Sequence, residues 1–262
     1  MNNFGVTVIS ICFNNLADLK RTCYSIDNQI VLPNEHIIIN GSTTNEIADW
    51  LNDHPQPSLR KWVNERDYGI ADAFNKGIQR ARFSITHLLH AGDTYASNKV
   101  IEMVNAIFLT NNNVQWVSGN IELVRGGERV VVGKPFDKNK LYRGMRSVAH
   151  PTWFVKKEVY DRVGLFNLKY TIGMDYDLMC RIKDEPYQYI NETLAVFDDT
   201  GISTTNYLNS LKENIVIYES HFGYSFICRI WQFRLKSLHI ILKTNIGKSL
   251  FFVKKKLKLE NW

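Results

Sequence analysis

Residues 64–95 read NERDYGIADAFNKGIQRARFSITHLLHAGDTY. An acidic turn, Glu65 to Gly69, leads into a short helix that ends at Asn75-Lys76-Gly77. The run SITHLLH then reads as a buried strand and stops beside a lone carboxylate, Asp93. A strand that delivers an acid to its carboxyl end suits an α/β sheet, where ligands gather at that edge.

The residues upstream repeat the theme. Val6 to Phe13 (VTVISICF) is nearly continuous in β-branched and apolar residues, as a strand buried on both faces must be. Leu16, Leu19, Cys23, Ile26 and Ile30 follow at helical spacing, and the helix ends before Pro33. His36 to Ile39 is a second buried strand. A helix-like stretch near Glu46 to Leu51 and a short strand from Leu59 to Asn64 complete a strand–helix–strand–helix–strand series. The segments at the strand ends are Phe13–Asn15, Asn40–Thr44, Glu65–Gly69 and His90–Thr94. All four are polar, and together they predict one crevice.

Downstream the pattern predicts a helix over about 98–109 and a hairpin of 114–124 with 129–132 around Gly126-Gly127. A helix is expected from about Lys157 to Val163. Another starts at Asp175 with acids in its first turn, where they suit the helix dipole. Tyr187–Ile190 and Leu194–Phe197 read as strands.

The chain has 262 residues and a formal net charge of +6. Residues 205–262 hold ten lysines and arginines against three acids, which leaves 22 against 23 for the first 204. The basicity therefore belongs to the tail. That argues against nucleic acid as a partner of the main domain and for an anionic surface as a partner of the tail. The four cysteines form no CxxC pair, so a reducing compartment is expected. Met1 leads at once into a strand, so no signal peptide is expected. No run of 18 apolar residues occurs to span a bilayer. Tyr224 to Lys243 mixes aromatic, aliphatic and basic residues in the manner of an interfacial amphipathic helix.

Seven segments, in order, resemble the inverting GT-A glycosyltransferases of family 2, of the bacterial surface-polysaccharide (O-antigen and capsule) type. They are TVISICFNN, SIDNQ, HIIINGSTT, NERDYGIADAFNKGI, LLHAGD, HPTWFVKKEVYDRVGLFN and MDYDLMCRI, spread over roughly residues 5–205. The resemblance implies a Rossmann-like mixed sheet with flanking helices over 1–205, followed by a helical, basic, membrane-associating tail over 206–262. It implies transfer of a hexose from a UDP-sugar to an undecaprenyl-diphosphate-linked saccharide, with Mn2+ or Mg2+, by a peripheral protein on the inner face of the cell membrane. A non-catalytic sugar-nucleotide-binding or assembly subunit is the rival reading.

Such transfer needs a cation on the leaving diphosphate, a base for the acceptor hydroxyl, and a held nucleoside. The resemblance assigns the cation to Asp93, although Ala91 stands where a second acid usually lies. It makes Asp175 the base, with Met174 where a Glu is common, and Asp177 a helix-terminal charge. Donor contacts fall on Phe13, Asn14, Asn40 (where relatives carry Asp), Asp67, Asp72, Asn75, Lys76 and Gly92. A solvated helix charge is the competing reading of Lys76. His150 and Arg181 are possible diphosphate or acceptor contacts, and Trp153 belongs to the acceptor side or the core. The Asp198-to-Ser203 turn also matches the family, without an assigned role.

Overall fold

The computed structural model describes residues 3–125, 128–145, 148–198 and 206–244. The Gly126-Gly127 turn, residues 199–203 and the last stretch of the tail, 246–262, lie outside the described residues.

The first half alternates strands and helices. β1 (Val6–Cys12), β2 (Glu35–Asn40), β3 (Arg60–Asn64) and β4 (Ile85–Leu88) pair in parallel in the order β3-β2-β1-β4. Every residue of β1, β2 and β4 is buried, which is why those strands read as unbroken apolar runs. Helices α1 (Leu16–Asp27), α2 (Glu46–Asp53) and α3 (Ile70–Arg80) connect them. Gly77 of α3 lies so close to β1 that a Cβ would meet Ile9 Cγ2 at 2.3 Å. The absent side chain lets the helix seat on the sheet.

Beyond β4 the sheet becomes mixed. β8 (Phe154–Lys156) runs antiparallel to β4, and β6 (Trp116–Arg125) is antiparallel to β8. β9 (Tyr187–Asp198) is parallel to β6, β5 (Thr94–Tyr95) closes that edge, and β7 (Glu128–Val132) forms a hairpin with β6. The two strand-like runs expected within 187–197 are one strand, whose pairing with β6 shifts register around Asn120. α4 (Val100–Thr110), α5 (Lys157–Val163) and α6 (Met174–Arg181) cover the sheet.

Two helices end the described chain, α7 (Tyr207–Phe222) and α8 (Phe226–Lys243). α7 is built into the domain rather than appended to it. Ile217 is fully buried in the same core as Phe74, Trp116, Trp153 and Tyr176. Position 205 is therefore a boundary in charge but not in packing.

Candidate active site

The loops at the carboxyl ends of β1, β2, β3 and β4 are tied to one another. Asn14, with φ of 52°, accepts from the backbone N–H groups of Thr43 and Thr44 and donates to Thr43 Oγ1. Asn15 reaches Ala91 O at 3.4 Å. Asn40 donates to Asn64 Oδ1 at 2.9 Å and accepts from the Ser42 N–H at 3.1 Å. Asn40 is only 4% exposed, so it holds two loops in register and is not displayed to a ligand. Its expected role as a reader of the base is corrected on that ground. The exposed rings at this edge are Phe13 and Tyr68, at 57% and 87% exposure.

The loop before α3 is shaped by its acids. Asp67 Oδ1 accepts from the Gly69 N–H and Asp72 Oδ2 from the Tyr68 N–H, both at 3.0 Å. The other Asp67 oxygen lies where a Cβ on Gly41 would be, 1.8 Å away. Gly41 thus admits the carboxylate to the end of β2.

The Asn75-Lys76-Gly77 motif does structural work. The Asn75 amide reads both backbone groups of Phe166, donating to its carbonyl and accepting from its N–H at 2.9 Å each. Lys76 Nζ donates to Arg66 O at 2.6 Å and pairs with Asp72 at 3.1 Å. Asn75 therefore clamps a distant loop, and Lys76 folds the loop that faces the crevice. Neither is presented to a donor as expected.

Asp93 sits past β4, after a turn in which Gly92 has φ of 114°. The Gly92 N–H donates to Thr22 Oγ1, and that hydroxyl lies 2.7 Å from Asp93 O. The Asp93 side chain is 3% exposed, and its Oδ2 has no hydrogen-bond partner. Burial pushes its pKa up to about 8, only partly offset by the His90 backbone N–H.

Asp175 lies in the first turn of α6. One fifth of its side chain is exposed, and Oδ1 is buried without a partner. Burial pushes its pKa up to about 7. His150 Nδ1 is 3.8 Å from Asp175 Oδ2, too far for a hydrogen bond. Burial lowers His150 to about 3, so at neutral pH the pair is a neutral imidazole beside a carboxyl group and not an ion pair. His90 falls to about 4, through burial and then through His150. The Phe74 ring touches His90, His150 and Phe166, with centroids 5.1, 5.4 and 5.5 Å away. His90, whose backbone meets Asp93, and His150, beside Asp175, therefore belong to one aromatic cluster around Phe74.

Asp177 and Arg181 differ from expectation. Asp177 is buried. It accepts from Arg181 Nε at 3.0 Å and meets His221 Nε2 of α7 at 2.9 Å. Arg181 also donates to the carbonyls of Val163, Gly164 and Leu165, and its second terminal nitrogen lies 2.9 Å from Asp177. Its five N–H donors are taken up by four acceptor atoms, Asp177 Oδ2 meeting two of its nitrogens, which leaves none for a phosphate. Arg181 caps α5. Trp153 is 2% exposed and belongs to the core.

Sequence reasoning missed Glu213. This α7 side chain accepts from the backbone N–H groups of Ile172 and Gly173 at 3.1 and 2.7 Å and from Thr171 Oγ1 at 3.0 Å. It caps the helix that carries Asp175 from 38 residues further along the chain. No local pattern announces such a contact.

A surface recess of about 700 Å³ lined by Lys20, Tyr24, Gln29 and Asn98 shares no residue with this constellation. Among the described residues no three His, Cys, Asp or Glu side chains gather as a metal cage. The orphaned Asp93 oxygen still fits a cation, as a single protein carboxylate with nothing else to satisfy it.

Residues 7–164 match the model of glycosyl transferase family 2. The chain belongs to that family. A glycosyltransferase of Mycobacterium tuberculosis, itself uncharacterized, is 30% identical over 204 residues, covering 76% of this chain and 77% of that protein. A PGL/p-HBAD biosynthesis glycosyltransferase of Mycobacterium bovis is 23% identical over 200 residues, 74% of this chain and 73% of its own.

Solved structures agree on the fold. S. aureus TarS 1-349 in complex with UDP-GlcNAc aligns with a TM-score of 0.60 at 11% identity, over 83% of this chain and 67% of that one. The chain spans 40% of the longer TarS structure. A Pyrobaculum calidifontis mannosyltransferase in complex with GDP-Man and Mn2+ aligns with a TM-score of 0.59 at 16% identity, over 98% of this chain and 81% of that one. The mixed sheet with flanking helices is the GT-A arrangement, and the family 2 chain is a glycosyltransferase. The non-catalytic reading falls with that assignment.

Proposed function

We propose that this family 2 enzyme is an inverting glycosyltransferase that moves a hexose from a UDP-sugar to a lipid-diphosphate-linked saccharide, as surface-polysaccharide assembly requires. The observation that carries the reading is Asp175. It is a partly exposed carboxyl in the first turn of α6, with one oxygen buried and unpaired and with His150 of the Phe74 cluster 3.8 Å away. A base must be poised near the working pH, and burial places Asp175 at about 7. Asp175 takes the proton of the acceptor hydroxyl as that oxygen attacks the sugar carbon. The UDP leaves from the opposite face, and the configuration inverts.

Asp93 would hold Mn2+ or Mg2+, which supplies charge neutralisation for the leaving diphosphate. The protein offers one carboxylate, so the remaining ligands come from the donor and water. Phe13 and Tyr68 offer faces for the base, and Asp67 shapes the edge where the nucleoside lies. The UDP donor follows the sequence resemblance; the same fold holds UDP-GlcNAc in TarS and GDP-Man in the mannosyltransferase.

The lipid-linked acceptor is favoured by α8. Phe226, Ile227, Ile230 and Phe233 are 65, 63, 52 and 69% exposed, beside Arg234, Lys236 and Lys243. No helix among the described residues is long and apolar enough to cross a membrane. Such a face suits the interface of an anionic leaflet.

The deciding experiment screens UDP-, GDP- and TDP-sugars against lipid-diphosphate saccharides, with and without Mn2+, and reads the product anomer by NMR. A UDP-sugar giving the inverted anomer is expected. Retention of configuration, or transfer from GDP- or TDP-sugars alone, would overturn the reading.

A further inference from the structure

We infer that Arg143 and Arg234 form a binding site for the acceptor's diphosphate, between the 3-10 segment Lys138–Arg143 and α8. The inference rests on the lipid-linked acceptor proposed above and assigns it a site.

Both guanidinium groups lie on one indole. Arg143 Cζ is 4.5 Å and Arg234 Cζ 5.0 Å from the centre of the Trp231 ring. Arg143 also lies 5.2 Å from the Tyr142 ring, and its Nε donates to the Tyr142 hydroxyl at 2.9 Å. Stacking fixes the two forks, but like charges held on one ring repel. A phosphate bound by these forks would relieve that cost.

Among the described residues no carboxylate supplies the anion. Arg21, Arg60, Arg80, Arg82, Arg129, Arg162, Arg181 and Arg229 each meet a carboxylate. Among the described residues, Arg66, Arg143 and Arg234 meet none, and of these three only Arg143 and Arg234 lie on a shared ring. The contrast holds within α8 itself, where Arg229 is neutralised by both oxygens of Glu219 at 2.7 Å. The terminal nitrogens of Arg143 and the whole Arg234 fork are donors awaiting an acceptor, and the fork geometry matches phosphate oxygens.

Position supplies the identity of the anion. The Tyr176 hydroxyl, one residue from Asp175, donates to Leu141 O at 2.5 Å. Gln232 donates to Tyr142 O at 3.2 Å. These bonds fix the 3-10 segment between the helix of the base and α8. On the same helix Phe226, Ile230 and Phe233 are exposed before Arg234 and Ile241 after it. Base, arginine pair and apolar face are thus carried by elements bonded to one another, and an acceptor likewise joins sugar, diphosphate and lipid.

The test uses two acceptors with the same saccharide, one on a polyprenyl diphosphate and one on a phosphate-free alkyl chain. The quantity read is the ratio of their kcat/KM, which partial unfolding leaves unchanged because both acceptors meet the same active enzyme. In Arg143→Gln and in Arg234→Gln the ratio is expected to fall by roughly ten- to a hundredfold, the size of a charge-assisted hydrogen bond. An unchanged ratio overturns the site.

A second arm separates sources of the anion. Wild type and variants are sedimented with phosphatidylcholine vesicles carrying either polyprenyl diphosphate or phosphatidylglycerol at equal charge. A preference for the diphosphate vesicles that both variants lose is the expected result. Equal binding to both vesicle types, weakened equally in the variants, would assign the arginines to the general membrane surface and overturn the acceptor site. Should the wild type transfer to neither acceptor, the proposed function fails, while the vesicle preference still decides the anion site.

Discussion

As the proposed base, Asp175 would serve catalysis at a cost in stability. With its pKa raised to about 7, transfer is expected to fall as pH drops through that value, because the base must be ionised. The Asn variant should lose roughly 10²- to 10⁴-fold in kcat while UDP binding by calorimetry stays intact. The stability sign runs the other way. The folded pKa lies above the ordinary carboxyl value of about 4, so the native state binds more protons than the unfolded chain between about 4 and 7. Wild type therefore loses stability as pH rises through that window, and the loss is complete above it. Asp175→Asn should melt higher than wild type at pH 8 and level with it near pH 4. A variant that melts lower at pH 8 would mean the carboxylate is compensated after all. Gly41 sets a second residue-scale test. A methyl there meets Asp67 Oδ2 at 1.8 Å and must push the carboxylate from the end of β2. Overpacking of this kind costs about 1–3 kcal/mol, so Gly41→Ala is expected to weaken UDP binding by about tenfold or more. Unchanged calorimetric affinity would remove Asp67 from the nucleoside edge.

At the scale of elements, the link that matters is α7 on α6. Glu213 satisfies the backbone donors of Ile172 and Gly173, and His221 of α7 meets Asp177. Glu213→Ala should cost about 1 kcal/mol, as losing a helix cap does. It should also lower kcat per active site, counted by UDP stoichiometry, without changing UDP affinity. Glu213→Gln keeps an acceptor oxygen and should recover most of the rate. A loss confined to melting temperature would make the cap purely structural. None of this was legible in the sequence, where the charge split near residue 205 suggested an appendage. Charge reports the surface a segment shows, whereas Ile217 and Glu213 act on the face it hides. The parallel strands were legible because burial on both faces leaves β1, β2 and β4 continuously apolar. β8 was not, since its three residues are made a strand only by pairing with β4 and β6. At the candidate site the sequence pointed to positions, and the structure shows which side chains there are already engaged with the protein. Asp93 and Asp175 each keep a buried, unpaired carboxylate oxygen, but Asn75 and Arg181 satisfy backbone groups at Phe166 and at Val163–Leu165. Long-range partners of that kind leave no trace in local spacing.

The proposed function joins a donor side, an acceptor side and a basic apolar face in one molecule. With Asp93 as the single protein carboxylate on the cation, cation and nucleotide would be interdependent. Mn2+ alone should raise the melting temperature little, and Mn2+ with UDP should raise it by more than the two separate shifts combined, since each ligand completes the other's site. Strictly additive shifts would argue against Asp93 as the cation's anchor. The apolar face carries the larger prediction. Phe233 is 69% exposed on α8, turned away from the Cys228, Gln232 and Leu235 side that packs on the domain. Phe233→Glu should therefore leave the melting temperature within about 1 °C, as exposed substitutions do. The same change removes an inserting ring and adds a charge that an anionic leaflet repels. Sedimentation with phosphatidylglycerol vesicles is expected to fall sharply in the variant, and wild-type binding should weaken as salt rises because Arg234, Lys236 and Lys243 contribute through a screened field. Retained sedimentation of Phe233→Glu would sink the membrane reading. Loss of sedimentation in that variant, with Lys236→Gln weakening binding only at low salt, would show insertion and attraction acting on one face of one helix, the helix that also presents Arg234 to the acceptor.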